Sequence, residues 1–333
     1  MKTYRVAVVG AGAVGVEMIR LLKLRKFPMS SLTVLARRER DEVIDGETYA
    51  VRTATPEAFE GMDFAFFAGT EGEKGASLTL GWEAVARGCV VIDNGDDFRM
   101  DPRVPLVIPE INPEALKGHQ GLIANPNCST IIALMALGPL HQAAGIRRFV
   151  ACTYQAVSGS GAQAVSELDR QARAWAAGEP VTAAVYPKPI LFNVLPAIGS
   201  AKGDSGSTSE ELKMLHETRK ILGDSSIQVS ATCVRVPVFN GHSEALHVEF
   251  ARPLSPEQAR DLLRKMPGVQ VVDQLAANEY PTPQACSGQM DVLVGRIRKD
   301  ASVENGLALF VTGDNIWKGA AQNAIQIAEA LIA

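Results

Sequence analysis

The stretch Tyr4-Arg5-Val6-Ala7-Val8-Val9-Gly10-Ala11-Gly12-Ala13-Val14-Gly15 decides the first half of the fold. Its apolar start reads as a buried strand, a glycine turn follows, and helical character runs on to about Lys26. G-x-G-x-x-G between a strand and a helix is the dinucleotide-binding pattern in its proper context. Gly10 permits the tight turn, Gly12 lets backbone approach a pyrophosphate, and Gly15 lets the helix pack closely on the strand. Ala13 and Val14 open the helix, so an anion would rest on its N-terminal N–H groups. A glycine turn that serves packing alone is the other reading.

The next strand, Ser31 to Ala36, ends in Arg37 and Arg38. An NAD site usually has an acidic residue there for the ribose hydroxyls, whereas two arginines suit the 2′-phosphate of NADP. Glu39 and Asp41 stand close by. A strand from Phe64 to Ala68 opens onto Gly69-Thr70-Glu71-Gly72, and a helix leads to a strand ending at Asp93. Ligands gather at the carboxyl edge of such sheets, so Arg99 either meets an anionic substrate or pairs with Asp96 or Asp97. Alternating strands and helices imply an α/β, doubly wound, Rossmann-like nucleotide-binding domain over residues 1–130, completed by a C-terminal helix at 315–333.

Asn125-Pro126-Asn127 breaks regular structure just before the apolar run that starts at Cys128. Asn127 suits an N-cap, which puts Cys128 at a helix N-terminus, where a thiolate is favoured. Cys128 is then either a nucleophile with an oxyanion site at hand or a structural cysteine. Residues 131–314 read as an α+β domain with a mixed sheet and helices on one side. Gln155 ends a strand before a Ser-Gly-Ser-Gly turn and is either pocket-facing or an ordinary strand end. Arg235 lies inside an apolar strand and calls for an anionic partner. His242 follows Asn240-Gly241 in a turn, placed to exchange protons near neutral pH. Ser207 to Glu211 carries capping-box spacing, and Glu211 and Lys213 share the first turns of that helix.

The 333 residues carry a net charge of −4 and are 47% apolar, which fits a globular protein of two domains and offers nothing to nucleic acid. The first residues run straight into a strand without a signal-peptide pattern, and no apolar run nears the roughly 18 residues of a membrane span. Five cysteines without close pairs argue against disulfides and zinc and fit a reducing cytoplasm. Cys89, Cys152 and Cys233 read as core residues, and Cys286 has no assignment. Cysteine, histidine and a nicotinamide cofactor together mean acyl capture as a thioester and hydride transfer to its carbonyl.

These features resemble the aspartate-semialdehyde dehydrogenase family over nearly the whole chain. The resemblance rests on Val-Ile-Asp-Asn with Phe-Arg-Met-Asp-Pro (91–102), Ile-Ala-Asn-Pro-Asn-Cys-Ser-Thr (123–130) and Thr-Tyr-Gln-Ala-Val-Ser-Gly-Ser-Gly (153–161). It continues through Glu-Thr-Arg-Lys-Ile-Leu-Gly (217–223), Arg-Val-Pro-Val-Phe-Asn-Gly-His-Ser-Glu (235–244) and Asp-Asn-Ile-Trp-Lys-Gly-Ala-Ala (314–321). It implies NADPH-dependent reduction of L-aspartyl 4-phosphate to L-aspartate 4-semialdehyde, a branch step toward lysine, threonine, methionine and diaminopimelate. By the resemblance Cys128 is the nucleophile, His242 the general acid/base and Gln155 the group that orients the carbonyl. Arg235 takes the substrate α-carboxylate, Glu211 its α-amino group, and Arg99 and Lys213 the phosphate. Ser158, Gly159 and Asn315 lie by the nicotinamide, and the family is usually a homodimer joined through the catalytic domain. The glycine loop is one residue shorter than is common in the family, Gly95-Asp96-Asp97 stands where small serine-rich residues are usual, and Trp317 replaces a usual basic residue. The nearest alternative is a sibling such as N-acetylglutamyl-phosphate reductase, which needs no site for a free amino group.

Overall fold

The computed structural model describes residues 2–69 and 75–333, so the Thr70-Glu71-Gly72 turn lies outside the described residues. The chain divides into two compact units, Met1–Asn127 with Ala320–Ala333, and Cys128–Gly319. The division therefore falls immediately before the cysteine of the Asn-Pro-Asn-Cys stretch. Among the described residues no helix is long and apolar enough to cross a membrane.

The first unit runs β1 (Tyr4–Val9), α1 (Ala13–Leu24), β2 (Met29–Ala36), β3 (Arg40–Ile44), β4 (Glu47–Thr53), β5 (Phe64–Phe67), α2 (Ala76–Ala86), β6 (Val90–Asp93) and β7 (Leu122–Ala124). Its seven strands lie in the order β3-β4-β2-β1-β5-β6-β7. All pair in parallel except β3 with β4. Val6 to Val9 and Phe64 to Phe67 are buried without alternation, as a parallel sheet covered on both faces requires. The last helix, α8 (Gln322–Ile332), packs against α1, and Arg25 Nε donates to Glu329 Oε1 at 2.9 Å. The β3–β4 hairpin, absent from the sequence reading, turns on Asp45 and Gly46, both at positive φ (51° and 81°). That is the Asp-Gly signature of a tight hairpin.

The second unit runs α3 (Cys128–Ala144), β8 (Ile146–Gln155), α4 (Ala162–Ala176), α5 (Ser209–Leu222), β9 (Gln228–Arg235), β10 (His242–Phe250), α6 (Pro256–Lys265), β11 (Val269–Val271), α7 (Pro283–Cys286), β12 (Val292–Asp300) and β13 (Gly306–Gly313). Six strands form a mixed sheet, β11-β12-β13-β10-β8-β9. Helices α3, α5 and α6 pack on its strands. Alternation along β8 fits that one-sided cover: Phe149, Ala151, Thr153 and Gln155 are buried, while Tyr154 is exposed and meets Phe310 of β13. Cys152, expected in the core, shares the Tyr154 side of β8 and is only half-buried. A π-helical turn begins at Trp317, ahead of α8, where a plain α-helix was expected.

Candidate active site

Cys128 is the first residue of α3, so its side chain stands at the positive end of a helix buried nearly all round. The first turn of that helix sits directly on the sheet. A Cβ on Gly313 would lie 2.9 Å from Cγ1 of Ile132, one turn beyond Cys128. Gly313 is the cross-strand partner of His242, so the glycine brings the start of α3 down onto the strand pair that carries the histidine. Gly319 closes on the other side, where a Cβ would come within 2.9 Å of the Cys128 Cβ. The Gly319 N–H donates to the carbonyl of Asp314 at 2.9 Å.

His242 is fully buried, and its Nδ1 accepts the Ala156 N–H at 3.0 Å. The neutral ring therefore carries its proton on Nε2, an atom with no protein partner. Burial, and then the neighbouring Arg235, hold the His242 pKa well below its usual 6.5. Gly159 fits against both groups: a Cβ there would lie 3.0 Å from Arg235 Nη1 and 3.1 Å from His242 Nε2.

A polar network fixes the turn that delivers the ring. The Gly241 N–H donates to Asn315 Oδ1 at 3.0 Å, and Asn315 Nδ2 donates to Ser158 Oγ at 2.9 Å. Asn240 Nδ2 donates to Asp314 Oδ2 at 2.7 Å, while Asp314 Oδ1 accepts from the N–H groups of Ile316 and Trp317. Ser158 and Asn315 were expected beside the nicotinamide. Their side chains are hydrogen-bonded to each other and to the turn before His242. Cys286 also acquires a place, because a Cβ on Gly241 (φ +90°) would lie 2.9 Å from its Sγ. That thiol is pushed up to about 12 by burial.

Arg235 departs from the expectation of an anionic partner. It is 6% exposed, its Nη1 donates to the Ala156 carbonyl at 2.8 Å, and its Nε has no partner. Among the described residues it makes no ion pair. A buried guanidinium left in this state still has N–H donors in the fork geometry that suits a carboxylate. Gln155, its cross-strand neighbour, donates from Nε2 to Glu210 Oε1 at 3.1 Å and accepts from Thr153 Oγ1 at 3.0 Å. Lys213 Nζ lies 3.8 Å from Glu210 Oε2.

Glu211 does not join this cluster. It occupies the N3 position of a capping box, where Oε2 accepts the Thr208 N–H at 2.8 Å and Oε1 accepts the Cys233 N–H at 3.2 Å. Both oxygens are thus held by backbone, and the carboxylate at the Gln155 amide belongs to Glu210. One residue along a helix turns a side chain by about 100°, which separates the two roles.

In the first unit the glycine turn has the form that a pyrophosphate cradle needs. A Cβ on Gly15 would lie 1.7 Å from the Gly10 carbonyl oxygen, whereas at Gly12 it would meet nothing within 4 Å. Gly12 caps α1, whose first turn carries no acidic residue. Arg37 and Arg38 are exposed beyond β2. Arg40, not singled out from the sequence, donates from Nη2 to the Ala11 carbonyl at 3.4 Å and so lies nearer the glycine turn. Arg99 is 6% exposed and donates to the carbonyls of Asn125 at 2.9 Å and Asn94 at 2.8 Å, at the ends of β7 and β6.

Residues 5–119 match the semialdehyde dehydrogenase NAD-binding domain, and residues 137–318 match the semialdehyde dehydrogenase dimerisation domain. An aspartate-semialdehyde dehydrogenase of Aquifex aeolicus is 49% identical, with 99% of this chain and 98% of the relative covered. A crystal structure of aspartate semialdehyde dehydrogenase II from Vibrio cholerae, complexed with ASA, superimposes with a TM-score of 0.94 at 41% identity, covering 100% of this chain and 99% of that one. The Candida albicans enzyme with NADP gives 0.76 at 26% identity, with 100% and 99% covered.

Proposed function

The chain belongs to the aspartate-semialdehyde dehydrogenase family, and on that premise we propose that it interconverts L-aspartyl 4-phosphate and L-aspartate 4-semialdehyde through a thioester on Cys128. The observation that carries this reading is the buried, unpaired guanidinium of Arg235 against the unpartnered Nε2 of His242, on the strands beneath the first turn of α3.

In the reductive direction the Cys128 sulfur attacks the acyl carbon, and the phosphate leaves with the bonding electron pair. The N-terminal end of α3 favours the anionic sulfur before attack. The Gln155 amide, ordered by Glu210 and Thr153, holds the acyl group in register. A nicotinamide dinucleotide held at the Gly10-Gly12-Gly15 turn would, in its reduced form, supply the hydride that the thioester carbonyl accepts. The neutral His242 donates a hydrogen bond from its Nε2–H to the developing oxyanion, which reforms the carbonyl as the C–S bond breaks and aldehyde and thiolate separate. Arg235 receives the α-carboxylate, and Glu210 rather than Glu211 receives the α-ammonium. A carboxylate at that place favours a substrate with a free amino group over the N-acylated substrate of the sibling reductase. Lys213 and Arg99 are the phosphate contacts that the resemblance suggests.

The glycine turn and α1 fit the pyrophosphate of a nicotinamide dinucleotide. NADP over NAD is supported by Arg37 and Arg38 beyond β2 and Arg40 at the start of β3, where opposite charge suits a 2′-phosphate. The open face bearing Tyr154 and Phe310 is the surface we assign to a homodimer. Five cysteines, none in a disulfide among the described residues, fit a reducing cytoplasm.

The test is the reverse reaction: purified protein, L-aspartate 4-semialdehyde, phosphate, and NADP or NAD in parallel, followed by nicotinamide absorbance. Phosphate-dependent reduction that is lost in Cys128→Ala supports the assignment. A folded, nucleotide-binding protein that gives no signal with either cofactor refutes it.

A further inference from the structure

Glu244 is a buried ionisable group with no part in the chemistry above. It lies in β10 two residues beyond His242 and so on the same face of the sheet, opposite Thr153 of β8 and Val311 of β13. It is 0% exposed, and neither carboxyl oxygen has a hydrogen-bond partner. A carboxylate in that position has lost its water without gaining a donor or a cation, so the group holds a proton instead. Burial, and then repulsion from Glu210, raise its pKa well above the usual 4.5.

Its cross-strand partners Thr153 and Val311 do not titrate, His242 shares its face of β10, and the ionisable groups that interact with it from other elements are Glu210 on α5 and Cys233 on β9. Of these, Glu210 supplies the one electrostatic influence large enough to register. Two carboxyls that repel each other in a buried setting do not both carry charge comfortably. Glu210 has the Gln155 amide at 3.1 Å and the Lys213 ammonium at 3.8 Å, while Glu244 has neither kind of partner.

We propose that Glu244 is a positioning residue: the proton-bearing half of a buried carboxyl pair, which leaves Glu210 as the single anion that orders Gln155 and receives the substrate ammonium group. The assignment of the ammonium to Glu210 rests on the function proposed above; the protonation of Glu244 does not.

The test uses the full-length protein and Glu244→Gln, which keeps the shape of the neutral acid and cannot ionise. Infrared difference spectra at neutral pH should show the carbonyl stretch of a protonated carboxylic acid in the wild type and not in the variant. Glu244→Asp should shift that band rather than remove it, which covers the case in which the amide variant does not fold.

Stability against pH gives a second readout. The folded pKa lies above the unfolded value, so the contribution of Glu244 is complete below about 4.5 and is lost as pH rises through the folded value. In that window the unfolding constant of the wild type should climb by about tenfold per pH unit relative to E244Q. The third readout is kinetic. Ionised Glu244 sets a second charge against Glu210, so kcat/KM of the wild type should fall on the alkaline side, and that limb should move to higher pH in E244Q. A missing acid band, or parallel stability curves, overturns the proposal, and an identical alkaline limb in both proteins overturns the positioning role. A wild type without turnover refutes the proposed function instead and leaves the first two readouts intact.

Discussion

Replacing Arg235 by methionine separates the two jobs that a buried arginine can do. In the free protein its guanidinium has a single carbonyl partner at 2.8 Å, an unpartnered Nε and no carboxylate. Methionine fills a similar volume, removes the charge and leaves the Ala156 carbonyl one donor short, at a cost of about 1–3 kcal/mol. Against this stands relief from an unpaired buried charge, whose effective penalty is about several kcal/mol. The balance lies between no change and a gain of about 2 kcal/mol in folding stability. Breaking a structural ion pair would instead lose about 3–5 kcal/mol. Activity moves the other way. Two charge-assisted hydrogen bonds to a substrate carboxylate, at about 1.5–3 kcal/mol each, amount to roughly a 100- to 10,000-fold loss of kcat/KM. Thermal or urea unfolding, together with the reverse assay, measures both. Lysine at this position restores charge without the fork and should recover little. A methionine variant within tenfold of wild-type activity, or one destabilised by about 3 kcal/mol or more, would refute the reasoning.

Gly319→Ala adds a Cβ 2.9 Å from that of Cys128, a separation real Cβ atoms do not adopt, so the start of α3 must shift. We expect kcat to fall by about tenfold with the Cys128 thiol still titratable. Glu211→Ala should lower stability by about 0.5–2 kcal/mol through the lost cap and leave KM for the semialdehyde nearly unchanged. Glu210→Ala should raise that KM by about tenfold or more, since a charge-assisted contact is lost. For His242 the folded pKa lies below the unfolded 6.5, so its contribution to stability is full above that pH and is lost as pH falls through the folded value. Unfolding constants of the wild type and His242→Asn, compared as pH is lowered from neutrality, should diverge in that direction.

The glycine turn was legible because its constraint is local: each glycine answers a steric demand met within one strand, turn and helix. Cys128 was legible for the same reason, since Asn-Pro-Asn can only end one element and begin another. The β3–β4 hairpin rests on an equally local signal, Asp45-Gly46. Glu210 and Glu211 show where local reading misleads. Ser207 with Glu210 and Thr208 with Glu211 have the same capping-box spacing, and only the structure commits Glu211 to Thr208 and leaves Glu210 to face Gln155. Arg235, Ser158 and Asn315 depend on strand pairing between distant segments. A sequence can say that a buried arginine needs an anion, but that no carboxylate among the described residues meets Arg235 is visible only when β8, β9 and β10 are laid side by side. Glu244 follows the same rule: beside a turn histidine it reads as an ordinary strand glutamate until its two oxygens are found without a donor.

The most direct measurement is to trap the acyl-enzyme. Protein incubated with L-aspartate 4-semialdehyde and NADP, with phosphate withheld, should give one burst of reduced cofactor per active site. Its intact mass should rise by one aspartyl group, located by peptide mapping on Cys128 and released on adding phosphate. Steady phosphate-dependent turnover without a burst, or with the adduct on any other residue, would contradict the thioester at the start of α3.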